Sequence, residues 1–400
     1  MMRFITLLAL AILSRASLAD GLPPDVLTAL KAVQIPAANV SIVVQPVDAK
    51  APLVAHNAAQ PMNPASVMKL VTTYAALDLL GPAWTWKTTA WADSVPVDGV
   101  LNGNLYIKGS GDPRFSIEHL WGLLRQLRVR GIQHTGGDIV LDRTVFNVPT
   151  IDPGAFDDKP MRPYNVGPDG LLINFRALRF TLVGENGKVR VLFTLLPDNG
   201  RPRVLMETPS DGLRVDNQLR SGEGGCGSNW KDFINVRLIP ENTGSRLEFT
   251  GTYSPLCGEK PLNLSPLPAD AQASGLIRSL WKELGGTLAG QVRGGTVPVG
   301  SKLLAQHESP PLADAVRDIN KFSNNVMARQ VFLTLGNDTA PATAERSRQR
   351  IADWLNARGL RFAELDIENG SGLSRRERIS ADSLNRLLLD AWKNPVMPEF

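Results

Sequence analysis

The sequence predicts an α/β fold whose first domain is interrupted by a large, mainly β insertion. Three stretches of the 400 residues support this prediction. Residues 66–80 have the composition of a long helix, and residues 86–253 contain short β-like runs that Gly, Pro, Asn and Asp separate. From about residue 271 onwards the apolar spacing is helical again. A domain that starts before the β-rich part and resumes after it explains this order.

Composition narrows the class of protein. A length of 400 residues is typical of two or three domains, and a hydrophobic fraction of 43% favours a folded chain. The net charge of +4 is too small to indicate a nucleic-acid partner. No two of the four histidines have metal-ligand spacing, and two cysteines are too few for cysteine-rich metal sites or iron–sulfur clusters. No run of 18 apolar residues occurs, and we therefore expect no transmembrane anchor.

The first nineteen residues are typical of a secretory signal peptide. Arg3 supplies a basic start, Phe4–Leu13 is an apolar run, and Ser17-Leu18-Ala19 is a small-x-small cleavage site. We therefore expect export to the periplasm and a mature chain that begins at Asp20. The alternative is a buried first helix of the fold.

Cys226 and Cys257 are expected to form a disulfide. An oxidising compartment favours their pairing, and the bridge would close a loop of about thirty residues. The chain-entropy argument gives such a loop ~3 kcal/mol of stabilisation. Two free thiols are the alternative.

The first elements in chain order are a hairpin and a helix. Asn39–Val47 and Pro52–Ala55 are β-branched or apolar and flank a turn, which predicts the hairpin. Ser66–Leu80 follows a breaker and ends at Gly81-Pro82, a helix stop signal. Apolar residues cover nearly all faces of this helix, so we expect it in the middle of a domain.

The later elements define the insertion and its limits. One helix, Ser116–Arg128, is expected among the β-like runs of the insertion. Those runs are Trp86–Ala92, Leu105–Lys108, Asp138–Leu141, Leu171–Phe175, Val189–Leu196, Ile234–Leu238 and Arg246–Thr250. The helical segments after them are Ser274–Leu284, Leu312–Leu335, Ala344–Ala357 and Ala381–Trp392. We therefore assign residues 20–90 and 266–400 to one discontinuous domain and residues 91–265 to the insertion.

Ser66-Val67-Met68-Lys69 is the main candidate for catalytic chemistry. On a helix the hydroxyl of Ser66 and the amine of Lys69 share a face, and the free N–H groups of the first turn favour developing negative charge. The apolar surroundings are expected to lower the pKa of Lys69. A neutral amine beside a serine can take its proton and make it a nucleophile.

The Ser-x-x-Lys pattern alone is weak, because it also occurs at Ser228-Asn229-Trp230-Lys231 and Ser279-Leu280-Trp281-Lys282. Only Ser66 follows a breaker and opens a long apolar segment. A structural alternative, in which Ser66 caps the helix and Lys69 forms a salt bridge, remains open at this point.

Ser323-Asn324-Asn325 adds a second element, a Ser-x-Asn. Ser323 is a candidate proton relay to the leaving group, and Asn325 a candidate partner for Lys69 and for a substrate amide. The alternative is a Ser/Asn cap before the helix that follows. Another Ser-x-Asn, Ser383-Leu384-Asn385, lies inside a predicted helix and has no expected role. The 257 residues between Ser66 and Ser323 again indicate a large insertion.

Several stretches together resemble one known family. The sequence is similar to the D-alanyl-D-alanine carboxypeptidase/endopeptidase family typified by penicillin-binding protein 4, the class C low-molecular-mass penicillin-binding proteins (peptidase family S13). The stretches that carry the resemblance, in chain order, are His56-Asn57, Pro61–Lys69, Leu101–Pro113, Pro163–Asp169, Lys321–Asn325 and Asn369–Arg375. They extend over nearly the whole chain that follows the predicted signal peptide.

The resemblance implies a penicillin-binding transpeptidase-like (β-lactamase-like) domain that carries Ser66 and Ser323, with two mainly β domains inserted between them. It also implies hydrolysis of the D-Ala–D-Ala bond of peptidoglycan stem peptides, and often of the crosslink to diaminopimelate. Ser66 would form an acyl-enzyme that water releases, β-lactams would acylate the same serine, and no cofactor would be needed.

One part of the family pattern is missing from the sequence. The family carries a Lys-Thr-Gly element after the Asn369–Arg375 stretch, and this sequence contains none up to Phe400. Lys87-Thr88-Thr89 lacks the glycine and lies in the wrong region. We therefore expect a C-terminally truncated sequence with an incomplete site.

Two other functions share features with the serine peptidase. A non-catalytic periplasmic module that binds peptidoglycan or a partner protein on the same fold is the alternative, and the presence of Ser66, Lys69, Ser323 and Asn325 argues against it. A β-lactamase uses similar motifs but has no large insertion between them.

Overall fold

A computed structural model of the chain describes residues 19–184, 202–338 and 340–400. The predicted signal peptide, apart from Ala19, and the predicted run Val189–Leu196 lie outside the described residues.

Eight α-helices occur among the described residues. They are α1 (Pro24–Ala32), α2 (Met68–Leu80), α3 (Ile117–Val129), α4 (Ala269–Glu283), α5 (Leu312–Phe322), α6 (Asn325–Leu335), α7 (Ala344–Ala357) and α8 (Ala381–Lys393).

The strands of the same residues are short. They are β1 (Ala19–Asp20), β2 (Ile42–Val44), β3 (Val54–His56), β4 (Lys87–Ala92), β5 (Val100–Leu101), β6 (Leu105–Lys108), β7 (His134–Thr135), β8 (Ile139–Asp142), β9 (Leu178–Val183), β10 (Arg203–Met206), β11 (Leu213–Asn217), β12 (Arg220–Ser221), β13 (Ile234–Glu241), β14 (Gly244–Tyr253), β15 (Glu259–Leu264), β16 (Thr287–Leu288), β17 (Val292–Gly294) and β18 (Lys302–Glu308).

The first hydrophobic core is helical and has α2 at its centre. Residues on every face of α2 are buried, as its apolar composition predicted, and the helix packs against α5, α6 and α7. The small sheet β1-β3-β2 includes the predicted hairpin, whose strands β2 and β3 pair antiparallel. Helix α8 packs against β2.

A polar network fixes α2 to the helices around it. Arg358 makes salt bridges to Asp78 on α2 (2.8 Å) and to Asp390 on α8 (2.6 Å). Trp354 on α7 donates a hydrogen bond to Asp78, and the Tyr74 hydroxyl on α2 donates one to Asp390. Because these partly buried charges are paired and hydrogen-bonded, they specify how three helices meet.

The second core lies on a five-stranded sheet in the order β17-β8-β6-β4-β18. Helices α3 and α4 pack against β18 and β17, respectively, and against each other. Helix α4 and strand β18 thus complete this core, although the sequence assigned residues 266–400 to the discontinuous domain. The division of the chain into domains stays a prediction.

The third core is built from strands of the mainly β region. Strand β9 pairs antiparallel with β10 and β15, and β14 pairs with β11, β12 and β13 in a second sheet. The buried Cys257 belongs to this core and forms the expected disulfide with Cys226.

One sequence expectation about elements is wrong. Leu171–Phe175 does not form a strand, because this apolar run is buried without strand partners and leads into the 3-10 turn Asn174–Arg176. The helical stretch Leu312–Leu335 consists of two helices, α5 and α6, and the Ser-x-Asn motif lies at the turn between them. Strand β18 was not predicted, since polar and apolar residues are mixed along it.

Two further findings concern the described residues as a whole. None of their helices is long and apolar enough to cross a bilayer. They also contain no group of three or more His, Cys, Asp or Glu side chains placed to hold a metal ion.

Candidate active site

Ser66 lies at the N-terminal end of the central helix, in a 3-10 turn formed by Ala65–Val67. The α-helix itself begins at Met68, two residues later than predicted. Asn63 holds the turn in place, since its side chain accepts a hydrogen bond from Ala65 N (2.9 Å) and donates one to the Ser374 carbonyl (2.8 Å). The Ser66 hydroxyl is therefore presented to solvent above a buried helix.

Lys69 is buried directly below Ser66. Its side chain is only 2% exposed, and Nζ lies 3.2 Å from Ser66 Oγ, 2.7 Å from Asn325 Oδ1 and 2.5 Å from the Ser371 carbonyl oxygen. A neutral amine has two N–H donors and one lone pair. The two carbonyl oxygens can only accept, so they take both N–H groups and leave the lone pair for the Ser66 hydroxyl.

The electrostatics around Lys69 favour the neutral amine. Burial lowers its pKa from 10.5 to about 8, Glu377 opposes this by raising it, and Arg329 lowers it further. Because the cost of burying a charged amine dominates, Lys69 is a stronger candidate for a base at neutral pH than an ordinary lysine.

Ser323 lies in the turn between α5 and α6 and has a left-handed backbone conformation, with φ 54°. This conformation brings its hydroxyl to Ser66, to which it donates a hydrogen bond of 2.8 Å between the two Oγ atoms. Asn324 caps α6 by accepting a hydrogen bond from Met327 N. The capping role expected as the alternative for this motif therefore falls to Asn324, which leaves Ser323 and Asn325 facing Ser66 and Lys69.

The loop 369–374 completes the site, and sequence reasoning gave it no role. Besides the Ser371 contact to Lys69, its Gly370 carbonyl accepts a hydrogen bond from Thr72 Oγ1 (2.7 Å). Gly372 has φ +79° and approaches so closely that a Cβ would lie 1.7 Å from the Ala65 carbonyl oxygen. The glycines on either side of Ser371 were the available sequence signal, because they permit a backbone to approach another backbone.

A cavity of about 530 Å³ adjoins this loop. Its walls combine apolar side chains with several charges, and Arg375 stacks over the ring of Phe156 at 4.4 Å. Among its lining residues are Ile151, Asp152, Phe156, Arg329, Leu373 and Arg375. Such a mixture suits a peptide that carries both apolar and charged groups.

The other candidate motifs do not form comparable sites. Ser279 lies inside helix α4, and Lys231 stacks over the ring of Trp230. Ser383 donates a hydrogen bond to Glu364 at the start of α8, and Asn385 donates one to Gln45. These contacts give the three motifs structural roles in the fold.

Comparison with known proteins supports the expected family. The sequence profile described as D-Ala-D-Ala carboxypeptidase 3 (S13) family matches residues 25–400. A D-alanyl-D-alanine carboxypeptidase of Actinomadura sp. (strain R39) is 28% identical over 355 residues, covering 86% of this chain and 62% of that protein. The D-alanyl-D-alanine carboxypeptidase DacB of Haemophilus influenzae is 23% identical over 359 residues, covering 89% of this chain and 71% of that protein. The chain thus spans less than two thirds of the length of the Actinomadura protein.

A solved structure shares the fold. The crystal structure of penicillin binding protein 4 (dacB) from Haemophilus influenzae superposes with a TM-score of 0.73 at 24% identity, covering 90% of this chain and 77% of that chain. The same protein complexed with a β-lactam superposes with a TM-score of 0.69 at 23% identity, covering 90% of this chain and 76% of that chain. The mixed α/β fold described above is therefore that of these structures.

Proposed function

Because the chain belongs to the D-Ala-D-Ala carboxypeptidase 3 (S13) family, we propose that it is a serine-type D-Ala-D-Ala carboxypeptidase/endopeptidase of peptidoglycan stem peptides. Ser66 is its nucleophile, and β-lactams acylate the same residue. The predicted signal peptide supports the periplasm as its location, where its substrate lies.

The observation that carries the proposal is the set of contacts around Lys69. A buried amine whose pKa is lowered to about 8 lies 3.2 Å from the Ser66 hydroxyl, and two carbonyl oxygens occupy its N–H groups. This arrangement prepares the lone pair of Lys69 to take the Ser66 proton. A helix cap and a surface salt bridge, the structural alternative, would not require the amine to be buried.

The reaction then follows the geometry of the two serines. Ser66 Oγ forms a bond to the carbonyl carbon of the penultimate D-Ala while its proton moves to Lys69 Nζ. The C–N bond breaks, and the proton on Lys69 passes through Ser323, whose Oγ lies 2.8 Å from Ser66 Oγ, to the leaving amine. Water then attacks the resulting ester and gives a proton to the neutral Lys69, which returns it to Ser66 Oγ as the ester bond breaks.

We further propose that the cavity beside the loop 369–374 takes the part of the stem peptide that precedes the D-Ala–D-Ala bond. Its charged side chains include Asp152, Arg329 and Arg375, which can pair with the carboxylate and amine groups of such a peptide. Its apolar walls can contact the methylene groups between these charges.

Covalent labelling of the full-length protein tests the nucleophile. A fluorescent penicillin should label the wild type, and mass spectrometry should find the adduct on the peptide that contains Ser66. Ser66→Ala should abolish labelling while leaving the fold intact by circular dichroism, and Lys69→Ala should slow it by roughly 10²–10⁴-fold.

Ser279→Ala is the matched control, because Ser279 belongs to the same Ser-x-x-Lys pattern but lies inside α4. It should be labelled at the wild-type rate. Full labelling of Ser66→Ala, or loss of labelling in Ser279→Ala alone, would contradict the assignment. Release of D-Ala from diacetyl-Lys-D-Ala-D-Ala by the wild type tests the peptidase activity itself.

A further inference from the structure

Glu377 is a fully buried carboxylate close to the catalytic residues, and it has no part in the proton transfers of the proposed reaction. One of its oxygens, Oε1, accepts three backbone hydrogen bonds, from Glu368 N (3.2 Å), Asn369 N (3.0 Å) and Gly370 N (3.0 Å). Its side chain is 0% exposed. A buried carboxylate with three N–H donors on one oxygen acts as a rigid anchor for the backbone that carries them.

The anchored backbone leads directly to the base. Gly370 is followed by Ser371, whose carbonyl oxygen lies 2.5 Å from Lys69 Nζ. The Gly370 carbonyl is itself fixed by Thr72, which lies on the same helix as Lys69. Glu377 therefore binds the residue directly before Ser371, and the carbonyl of Ser371 determines where an N–H of Lys69 points.

The charge of Glu377 also acts on Lys69. Two other described charges act on Lys69 or Glu377. One is the guanidinium of Arg329 on α6, which is only 6% exposed, and the other is the carboxylate of Glu368. Burial and Glu368 raise the pKa of Glu377, and its three backbone hydrogen bonds oppose that change. Glu377 in turn raises the pKa of Lys69 and of Arg329.

We propose that Glu377 is a positioning residue for the reaction: it holds the backbone that orients Lys69, and its buried negative charge acts on the Lys69 amine. This inference rests on the proposed function of Lys69 as the base. A carboxylate that only anchored the loop would leave the pKa of Lys69 unchanged when an amide replaced it, and this difference can be tested.

Glu377→Gln separates the two contributions. The amide oxygen can still accept the backbone N–H groups, whereas the charge is lost. Without the charge the ammonium form of Lys69 is less stable, so its pKa falls. We expect the acid limb of the acylation rate, measured with a fluorescent penicillin from pH 5 to 10, to move to lower pH by about one unit. Glu377→Ala loses the anchor as well, and we expect its rate to fall at least tenfold at every pH.

Glu364→Gln is the matched control. Glu364 also accepts hydrogen bonds from several groups, at Ser380 and Ser383, but these belong to the N-terminal turn of α8 and not to the loop beside Lys69. This variant should keep the wild-type pH midpoint. An unchanged midpoint in soluble, folded Glu377→Gln would overturn the proposal, as would an equal shift in Glu364→Gln.

A second measurement does not depend on catalysis. The Lys69 amine can be titrated by NMR in protein labelled with ¹³C at lysine Cε, its signal being assigned by its loss in Lys69→Met. We expect a lower midpoint in Glu377→Gln than in the wild type, and equal midpoints would refute the inference. If penicillin labels no form of the protein, the proposed function fails, whereas this titration still decides whether Glu377 acts on Lys69.

Discussion

Replacing Gly372 with alanine should disturb Ser66, the proposed nucleophile, more than any other single methyl group added to the loop 369–374. Gly372 has φ +79°, and a Cβ there would lie 1.7 Å from Ala65 O and 2.8 Å from Ser66 N. Both neighbours are backbone atoms of the turn that carries Ser66, so neither can rotate away. Real Cβ contacts are longer than 3.0 Å, and the two backbones must therefore separate by about 1 Å.

The expected loss of unfolding free energy in Gly372→Ala has two parts. Placing alanine in the left-handed region costs about 1–2 kcal/mol. The overlap with the turn adds about 1–3 kcal/mol, as overpacking of a tight contact typically does. Because misplacement of a reacting group by about 1 Å can cost 10²-fold in rate, the acylation rate should fall by a similar factor.

Gly359→Ala is the control for the cost of placing alanine in the left-handed region. Gly359 also has a positive φ, +71°, but no atom lies within 4 Å of the position that a methyl group would occupy there. It should lose about 1–2 kcal/mol of unfolding free energy and keep the wild-type acylation rate. Urea denaturation and the rate of labelling by a fluorescent penicillin measure both effects. Wild-type labelling of folded Gly372→Ala would show that the close approach of the loop to Ser66 does not matter for the reaction.

Three further predictions follow from other buried groups. Burial raises the pKa of Asp112 to about 6, so the free energy of unfolding should fall as the pH rises from about 4 to 6; Asp112→Asn should abolish this dependence in urea denaturation, and an unchanged dependence would contradict it. Reduction of the disulfide between Cys226 and Cys257 should cost ~3 kcal/mol of stability but leave the acylation rate unchanged, because the bridge lies in the third core; slower labelling of the reduced protein would link that core to the site. Ser323→Gly keeps the left-handed turn but removes the hydroxyl bonded to Ser66, and it should slow acylation by roughly 10²-fold; a wild-type rate would exclude Ser323 as a proton relay.

The sequence predicted the local parts of this structure well. The helix that ends at Leu80 was recognisable from its apolar residues and from Gly81-Pro82, and the hairpin β2–β3 from its alternating pattern. The fall in the pKa of Lys69 also followed from the apolar residues next to it in the chain. These features depend on neighbours within a few residues, and periodicity and composition report such neighbours directly.

The sequence predicted one long-range contact of Lys69 and missed another. Asn325, 256 residues away, was expected as a partner of Lys69 because it belongs to the Ser-x-Asn motif, whereas Ser371, 302 residues away, was not expected. Ser371 contributes a backbone carbonyl, which every residue has, so its side chain gave no signal. Glu377 resembles any surface glutamate in the run Arg375-Arg376-Glu377-Arg378, and only the fold buries it.

The same distinction explains the wrong prediction at Leu171–Phe175. This run has the composition of a buried strand, but composition cannot tell a run that pairs with a sheet from one that fills a space between cores. The left-handed conformation of Ser323 was not predictable either, because it is uncommon for a serine and no glycine or proline marks the turn.

The burial that lowers the pKa of Lys69 should also reduce the free energy of unfolding, and this cost can be measured. An unfolded lysine keeps its proton up to about pH 10.5, whereas Lys69 in the folded chain releases it at about 8. Between these values the unfolded state binds one more proton, so the free energy of unfolding rises with pH by about 1.4 kcal/mol per unit. Burial raises the pKa of Tyr253 to about 12, which has the opposite effect above pH 10. The contribution of Lys69 to the free energy of unfolding is therefore best measured between pH 8 and pH 10.

Lys69→Met tests this cost, because methionine fills a similar volume and does not titrate. Between pH 8 and 10 the wild type should gain about 2 kcal/mol of unfolding free energy relative to Lys69→Met, because the slope is smaller near each of the two pKa values. Urea denaturation of both proteins at pH 8, 9 and 10 measures the difference, and effects common to both proteins cancel in it. Parallel pH dependences would mean that Lys69 has an ordinary pKa in the folded chain. In that case the neutral form of the amine would be about 300-fold rarer at pH 7 than with a pKa of about 8, and Lys69 would be a correspondingly poorer base for Ser66.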